Sequence, residues 1–321
     1  MTAILSPDPA GLARACALLR AGELVAFGTE TVYGLGADAT NDRAVAGIFA
    51  AKGRPSFNPL IAHYPDAAAA FAHVRTNDIA RQLANTFWPG PLTLVLQRAE
   101  NCPVSLLVSA GGETLAVRVP ANASALALLH AVGRPIAAPS ANRSGHVSPT
   151  STAHVLAELS GKIAAILDSG PCPVGVESTV LDVRADRPVL LRAGGITVEA
   201  VEAVIGPVLH TAPADGPLRS PGLLASHYAP ELPLRLAATA VHANEALLAW
   251  GPPLGGAGLV YQLSATQDLS EAAARLFAGL RWLDTDGRQR GLARIAAMAL
   301  PSHGLGRAIN DRLRRAAAPR A

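Results

Sequence analysis

A proline-rich segment interrupts the chain between residues 206 and 230 and limits how the chain can fold. It shows little apolar periodicity and carries five prolines: Pro207, Pro213, Pro217, Pro221 and Pro230. Segments of this composition usually connect domains rather than build cores. The total length of 321 residues also exceeds the usual size of one domain. We therefore expect a first domain over residues 1–206, a linker over 207–231 and a second domain over 232–321.

Short apolar runs alternate with helical patterns on both sides of this linker. In the first domain, strands are predicted at residues 23–28, 59–63, 92–97, 115–119, 135–138, 163–167, 179–183 and 189–192. Helices are predicted at residues 41–51, with Asn41 as the N-cap, and at 77–87, 124–132 and 152–159. In the second domain we expect a strand at 259–261, a helix capped by Ser270 and a helix at about 289–300. The irregular alternation predicts an α/β fold with a mixed sheet.

The composition favours a large core, because half of the residues are hydrophobic and only 16% are charged. Pro7, Asp8 and Pro9 break any early apolar run, so we expect no signal peptide. No uncharged apolar stretch approaches the roughly 18–20 residues of a membrane helix. The expected location is therefore the cytoplasm, without membrane contact.

The three cysteines form no recognisable metal or disulfide pattern. Cys16, Cys102 and Cys172 are scattered, and no C-x-x-C pair occurs. We interpret them as small buried hydrophobic residues.

The net charge of +3 is unevenly distributed. Residues 1–206 carry 15 basic and 16 acidic side chains, whereas residues 207–321 carry 12 and 8. The first domain is therefore not a polycationic nucleic-acid binder. The second domain ends in a basic tail with Arg307, Arg312, Arg314 and Arg315. These arginines either make a weak contact with tRNA or are the cations that helix C-termini ordinarily favour.

The best-known catalytic motifs are missing. The sequence contains no G-x-x-x-x-G-K-[ST] loop, no G-x-S-x-G elbow and no H-E-x-x-H motif. Residues 34–39 match G-x-G-x-x-A, but residues 29–33 separate these glycines from the strand, and no acidic residue ends the next strand. Covalent catalysis, a metal centre and an organic cofactor are therefore not expected.

Two cations lie where a helix is broken. Lys52 is one of only two lysines among 27 basic residues, and Arg54 follows after a glycine. Cations at a helix C-terminus can be purely structural. Gly53 and Pro55 break the helix, however, so both cations could converge with the amide of Asn58 on a polyphosphate.

Other polar residues also interrupt apolar surroundings near strand ends. Thr31 lies in T-E-T-V-Y-G after the first strand, and Ser140, Asn142 and Ser148 lie in a serine- and glycine-rich loop after residues 135–138. Such a loop either is merely capped or cradles phosphate oxygens. Arg118, inside a strand, either reaches solvent or anchors a carboxylate. Because so many polar positions fall at strand termini, we expect one shared site.

Taken together, these motifs resemble the YrdC-domain family in its long two-domain form, the threonylcarbamoyl-AMP synthases. The ordered series is T-E-T-V-Y-G-L-G at 29–36, K-G-R-P with Asn58 at 52–58, P-S-A-N-x-S-G at 139–145, E-S-T-V at 177–180, S-P-G at 220–222, H-Y-A-P at 227–230 and G-L-G-x-A-I-N-D-R-L at 304–313. The resemblance implies a twisted mixed-sheet domain with a large cavity and a smaller Rossmann-like α/β domain. It also implies that a linker lid closes the active site.

The resemblance implies a reaction and assigns the residues. L-threonine, bicarbonate and ATP with Mg²⁺ would give threonylcarbamoyl-AMP and pyrophosphate, and separate proteins would transfer the product to tRNAs reading ANN codons. Lys52 and Arg54 would act in catalysis. Threonine would be bound by Thr31, His63, Arg118, Ala138 and Ser178. ATP would be bound by Arg54, Asn58, Thr114, Ser140, Asn142, Ser148, Arg192 and Tyr228, the last closing over the nucleotide.

Two rival functions are also compatible with the sequence. A carbamoyltransferase acting on another acceptor would use a similar domain, although the H-Y-A-P linker argues against it. An RNA-binding protein would need the basic second domain, and the net charge of −1 over residues 1–206 disfavours it.

Overall fold

The computed structural model describes residues 1–55, 57–210 and 227–319 and divides them into two compact units. The first unit comprises Met1–Ser144, Pro149–Cys172 and the described residues from Glu177 to His210. The second comprises Gly145–Ser148, Pro173–Val176 and the described residues from His227 onward. Two short segments that precede Glu177 in the sequence therefore belong to the second unit.

The first unit contains these strands: β1 (Ala3–Leu5), β2 (Val25–Gly28), β3 (Tyr33–Asp38), β4 (Ile61–His63), β5 (Val74–Arg75), β6 (Leu92–Arg98), β7 (Thr114–Arg118), β8 (Ile136–Ala137), β9 (Ala165–Leu167), β10 (Thr179–Asp182), β11 (Val189–Arg192) and β12 (Leu209–His210). Its helices are α1 (Pro9–Arg20), α2 (Asp42–Lys52), α3 (Ala67–Phe71), α4 (Asp78–Phe87), α5 (Ala123–Val132), α6 (Thr152–Leu159) and α7 (Val198–Ile205).

The strands form one mixed sheet in the order β1-β9-β2-β3-β8-β4-β7-β6-β10-β11-β12, with β5 beside β6. Parallel pairs such as β4/β7 and β6/β10 alternate with antiparallel pairs such as β2/β3, β8/β4 and β6/β7. The predicted α/β fold with a mixed sheet is confirmed. Most of the candidate residues lie on or next to six strands of this sheet: β3, β8, β4, β7, β6 and β10.

Side-chain caps explain where several of these helices begin. The Asn41 carboxamide accepts from Arg43 N and Ala44 N, and Asn77 and Asn122 cap α4 and α5 in the same way. Such caps satisfy backbone N–H groups that lack partners within the helix. Gly53 ends α2 in the left-handed conformation, with φ of 59°. This turn directs the chain after Lys52 away from the helix axis.

The core of the first unit lies on both faces of its sheet. Buried aliphatic and aromatic side chains from β2, β3, β6 and β7 pack against the apolar faces of α2 and α4, and α1 and α5 cover a second cluster. Each fully buried large apolar side chain contributes about 1.5–3 kcal/mol relative to an exposed one. This packing makes the strand ends a rigid support for polar side chains.

The second unit contains a four-stranded sheet in the order β13-β16-β14-β15, and every pair in it is parallel. Its elements are β13 (Leu234–Arg235), β14 (Glu245–Trp250), β15 (Val260–Ser264), α8 (Leu269–Gln289), β16 (Arg294–Ala297) and α9 (Leu305–Ala317). Buried residues of α8, among them Leu276, Phe277 and Leu280, face inward as the periodicity predicts.

Two predicted elements of the second unit are wrong. Asp268, not Ser270, caps α8, because its carboxylate accepts from Ser270 N and Glu271 N. The helix predicted at about 289–300 is instead the end of α8 followed by β16. Alanine and leucine there favour helix locally, but pairing of β16 with both β13 and β14 decides the outcome.

The basic tail is also less exposed than its sequence indicates. The Arg312 side chain is fully buried in α9, and its guanidinium lies 5.6 Å from the centre of the Tyr228 ring. Arg315 pairs with Asp311 at 3.1 Å. Arg314 Nε also donates to Asn310 O at 3.2 Å, so at least three of the four arginines make contacts within the second unit.

Within the described ranges, no helix has both the length and the apolar character needed to cross a membrane.

Candidate functional site

Arg118, at the end of β7, lies at the centre of a buried polar network. Its Nη1 donates to Thr31 Oγ1 at 3.0 Å, its Nη2 to Glu30 Oε1 at 2.6 Å and its Nε to Gly90 O at 3.3 Å. Thr31 Oγ1 also lies 2.8 Å from Thr29 Oγ1. Of the two interpretations of Arg118, the solvent-reaching one is wrong, since the residue is only 4% exposed.

His63 is the register partner of Arg118 across the parallel pair β4/β7. Its Nδ1 lies 3.1 Å from Ile61 O, and because a carbonyl can only accept, Nδ1 carries the proton. Burial, assisted by the charge of Arg118, lowers the pKa of His63 to about 3. The ring is therefore neutral at physiological pH.

Ser178 continues the network onto the next strands. Thr93, opposite Arg118 in the β6/β7 pair, lies with its Oγ1 2.7 Å from Ser178 Oγ. Arg192 Nη2 donates to Ser178 O at 2.9 Å and to Ser178 Oγ at 3.2 Å. These contacts and register pairs bring together Thr31, His63, Arg118, Ser178 and Arg192.

Gly194 allows the backbone around Ser178 to approach closely. A Cβ at Gly194 would lie 2.3 Å from Glu177 O and 2.4 Å from the Ser178 carbonyl carbon. No real Cβ tolerates such distances, so this position requires glycine for space.

Lys52 and the loop after β8 form a second group. Lys52 Nζ donates to Ser140 O at 2.6 Å and to the Asn142 carbonyl oxygen, and Ser144 N donates to Lys52 O at 2.9 Å. Burial, followed by the nearby charge of Arg54, lowers the pKa of Lys52 well below its usual value. An arriving anion would reverse part of this penalty.

Arg54 and Asn58 lie in the segment between α2 and β4. Arg54 Nη2 donates to Pro59 O at 2.9 Å and its Nε to Asn58 O at 3.3 Å. The Asn58 side chain is completely buried, and its Nδ2 and Oδ1 have no hydrogen-bond partner among the described residues. A buried amide of this kind requires a partner, which a ligand could supply.

Thr114 and Ala138 occupy defined places on the same strands. Thr114 begins β7 and Arg118 ends it, so the two lie about 13 Å apart along the strand. Because β4 and β7 are parallel, Thr114 belongs to the strand end from which the Asn58 segment enters β4. Ala138 N donates to Ile61 O at 2.9 Å, next to His63.

Ser148 and Tyr228 belong to the second unit. Arg281 of α8 donates to the Val147 carbonyl oxygen and, at 3.4 Å, to Ser148 O. The Tyr228 ring is fully buried, stacks on Phe277 at 5.4 Å between centroids, and has a backbone φ of 61°. Closure of Tyr228 over a nucleotide stays a prediction, and the S-P-G motif and most of the predicted lid lie outside the described residues.

Three residues of this region were missed by sequence reasoning: Glu30, Thr93 and Gly194. Glu30 is part of the T-E-T-V-Y-G motif, but nothing in the sequence indicates that its carboxylate turns inward toward Arg118. Thr93 looks like an ordinary strand residue, and Gly194 like an ordinary loop glycine. Only the placement of distant strands identifies them.

No group of three or more histidine, cysteine or acidic side chains that could hold a metal ion occurs among the described residues. Burial, together with the charge of Glu30, raises the pKa of Cys172 to about 12. That thiol stays protonated, in keeping with its interpretation as a small buried residue.

Two families match consecutive parts of the chain. The family described as "Telomere recombination" matches residues 17–194. The family described as "Threonylcarbamoyl-AMP synthase, C-terminal domain" matches residues 196–318.

Curated relatives match over nearly the whole chain. The threonylcarbamoyl-AMP synthase of Bacillus subtilis is 42% identical, covering 98% of this chain and 95% of its own. That of Pyrococcus abyssi is 41% identical, with 94% and 92% covered. A crystal structure of the P. abyssi Sua5 protein complexed with L-threonine superposes with a TM-score of 0.90 at 37% identity, covering 99% of this chain and 97% of that one.

Proposed function

The chain belongs to the threonylcarbamoyl-AMP synthase family, and we propose on this premise that it converts L-threonine, bicarbonate and ATP to threonylcarbamoyl-AMP and pyrophosphate. The observation that carries the proposal is the presence of two groups of buried cations and hydroxyls in the first unit, one around Arg118 at the end of β7 and one around Lys52 at the end of α2. Arg118 is fixed beside Thr31, and Lys52 is fixed beside the Ser140–Asn142 turn. Such an arrangement suits a reaction whose reactants are all anions or zwitterions.

Threonine is held by the network around Arg118. The guanidinium binds the threonine carboxylate, and the neutral ring of His63 contacts the substrate beside it. Thr31, Ser178 and the backbone of Ala138 complete this side. The relative crystallised with L-threonine supports the choice of amino acid.

ATP is held by the groups around Lys52. Lys52 and Arg54 face the phosphates, the loop carrying Ser140, Asn142 and Ser148 supplies N–H and hydroxyl donors, and Asn58 gains the partner its buried amide lacks. Arg192 and Thr114 act on the same side, and Tyr228 closes over the nucleotide.

The chemistry needs positioning and charge neutralisation rather than a protein nucleophile. The threonine amine, in its neutral form, attacks the carbon of bicarbonate, and water leaves to give a carbamate. An oxygen of the carbamate then attacks the α-phosphorus of ATP while pyrophosphate leaves in line. Lys52 and Arg54 catalyse this step by stabilising the negative charge on the phosphates. Mg²⁺ enters with ATP as part of the substrate, since magnesium is commonly bound through phosphate oxygens. No organic cofactor takes part.

The division of labour along the chain follows the proposed domains. Residues 1–206 form the catalytic domain, 207–231 the lid and 232–321 the second α/β domain. The reaction takes place in the cytoplasm, and separate proteins transfer the product to tRNA. Any tRNA contact of the second domain is weak, since Arg312 and Arg315 are committed to internal contacts.

Mass spectrometry of the product tests this proposal. Purified protein is incubated with all three substrates, or with threonine, bicarbonate or ATP omitted in turn. The adenylate should form only in the complete mixture, and its formation without threonine would contradict the proposal. A panel of other amino acids and carbamoyl acceptors under the same conditions tests the carbamoyltransferase alternative.

A further inference from the structure

A buried ion pair, Glu30 with Arg118, lies inside the proposed threonine site. Glu30 is 7% exposed and Arg118 is 4% exposed, and the two are joined at 2.6 Å. The second oxygen of Glu30 accepts from Ala121 N at 3.0 Å. Both charged groups are therefore held in fixed positions before any substrate arrives.

Neither member of the pair is saturated by the described residues. Arg118 has five N–H groups and uses three of them, for Thr31, Glu30 and Gly90. The Glu30 carboxylate offers about four lone-pair directions and uses two. Arg118 can therefore donate further hydrogen bonds, and the neighbouring Glu30 can accept further ones.

Glu30 and Arg118 together carry no net charge. His63 adds none, because burial and the charge of Arg118 hold it neutral. A buried arginine alone would attract any small anion, including bicarbonate or phosphate. Paired with a carboxylate, it instead matches a molecule that carries one positive and one negative group.

We propose that Glu30 determines specificity by receiving the ammonium group of the amino acid, so that the site selects a zwitterion over a simple carboxylate. This inference rests on the proposed function. A charge-assisted hydrogen bond from the ammonium to Glu30 would favour threonine over its deaminated analogue by about 10- to 150-fold. Arg118 then binds the carboxylate of the same molecule, so the site recognises the ammonium and the carboxylate groups together.

Equilibrium binding to the full-length protein tests the proposal with two ligands. L-Threonine is compared with 2,3-dihydroxybutanoate of matching stereochemistry, in which a hydroxyl replaces the ammonium. Calorimetry should give a dissociation constant at least tenfold higher for the hydroxy acid with the wild type. In Glu30→Gln this ratio should fall at least tenfold, mainly because threonine binds more weakly.

The ratio of the two dissociation constants distinguishes recognition of the ammonium group by Glu30 from a role in which Glu30 only supports Arg118. If Glu30 only holds the guanidinium in place, Glu30→Gln weakens both ligands equally and the ratio does not change, which overturns the proposal. Asp182→Asn serves as the control, because Asp182 is also a buried carboxylate paired with an arginine, Arg184, at 2.7 Å. It should leave the ratio unchanged.

The wild type alone keeps the inference falsifiable should Glu30→Gln not fold. Equal binding of both acids by the wild type refutes the role of Glu30 while leaving the proposed function intact. Binding of neither acid would contradict the proposed function, and this inference with it.

Discussion

The ammonium group of Lys52 donates a hydrogen bond to the carbonyl oxygen of Ser140 at 2.6 Å, and the two residues are 88 positions apart in sequence. The contact fixes the end of α2 against the turn that follows β8. It also commits two of the three ammonium N–H groups to backbone, counting the Asn142 carbonyl. Lys52 is thus a cation of fixed position rather than a flexible surface charge.

Replacing Lys52 by methionine should lower the rate of pyrophosphate release by about 10- to 1000-fold, because a positioned cation no longer stabilises the phosphates. Lys162→Met is the matched control, since Lys162 is the other lysine of the chain and is exposed. Release is measured with all three substrates present. Equal rates in the two variants, with both proteins folded by circular dichroism, would remove Lys52 from the mechanism.

His63 should make the fold sensitive to acid. Below pH 6.5 the unfolded chain protonates this histidine, whereas the folded protein resists protonation until about pH 3. Stability contributed by the neutral ring is therefore lost as pH falls through this window, at about 1.4 kcal/mol per pH unit. His63→Asn, which keeps a donor toward Ile61 O, should flatten that dependence.

Thermal melting between pH 6.5 and 4.5 measures the effect of His63. His130→Asn is the control, because His130 is exposed at the end of α5. A melting profile of His63→Asn that runs parallel to that of the wild type would contradict the assignment.

Asn58 should cost stability in the absence of ligand. Its buried amide lacks a partner among the described residues, so Asn58→Leu should stabilise the unliganded protein by about 1 kcal/mol and abolish stabilisation by ATP. Asn77→Leu should do the opposite to stability, because Asn77 donates to Val183 O at 2.6 Å and caps α4. Melting temperatures with and without ATP decide; a destabilised Asn58→Leu that still responds to ATP would refute the idea.

Gly194 should tolerate no side chain. Gly194→Ala places a methyl group 2.3 Å from Glu177 O and must displace the backbone of Ser178, at a cost of about 1–3 kcal/mol. Affinity for threonine should fall together with the melting temperature. Gly255→Ala, where a Cβ would meet no atom within 4 Å, should change neither quantity. Unchanged threonine binding in Gly194→Ala would show that the segment can move freely.

Local patterns in the sequence predicted most of the first unit and part of the site. The predicted helices that begin at Asn41 and Asn77, and the apolar runs that form β6 and β11, depend on interactions among nearby residues. The structure confirms these four elements. The sequence indicates Ser140 through its place in a polar loop after a strand, and Lys52 through the glycine and proline that break the helix after it. Their direct contact agrees with that expectation.

The remainder depended on partners far away in sequence. Glu30 is 88 positions from Arg118, and Thr93 is 85 positions from Ser178. The segment that forms β16 has the alanine and leucine content of a helix, and only its pairing with β13 and β14 makes it a strand. No local pattern encodes such choices, because tertiary contacts supply the free energy that decides them.

The second unit is assembled from three separate stretches of chain, and Arg281 reaches back 133 positions to Ser148. A ribosome therefore exposes Gly145–Ser148 and Pro173–Val176 long before α8 has been synthesised to receive them. These segments must wait for their partner helix. For the same reason, a fusion protein that contains only the C-terminal stretch would lack two of the three segments of the second unit.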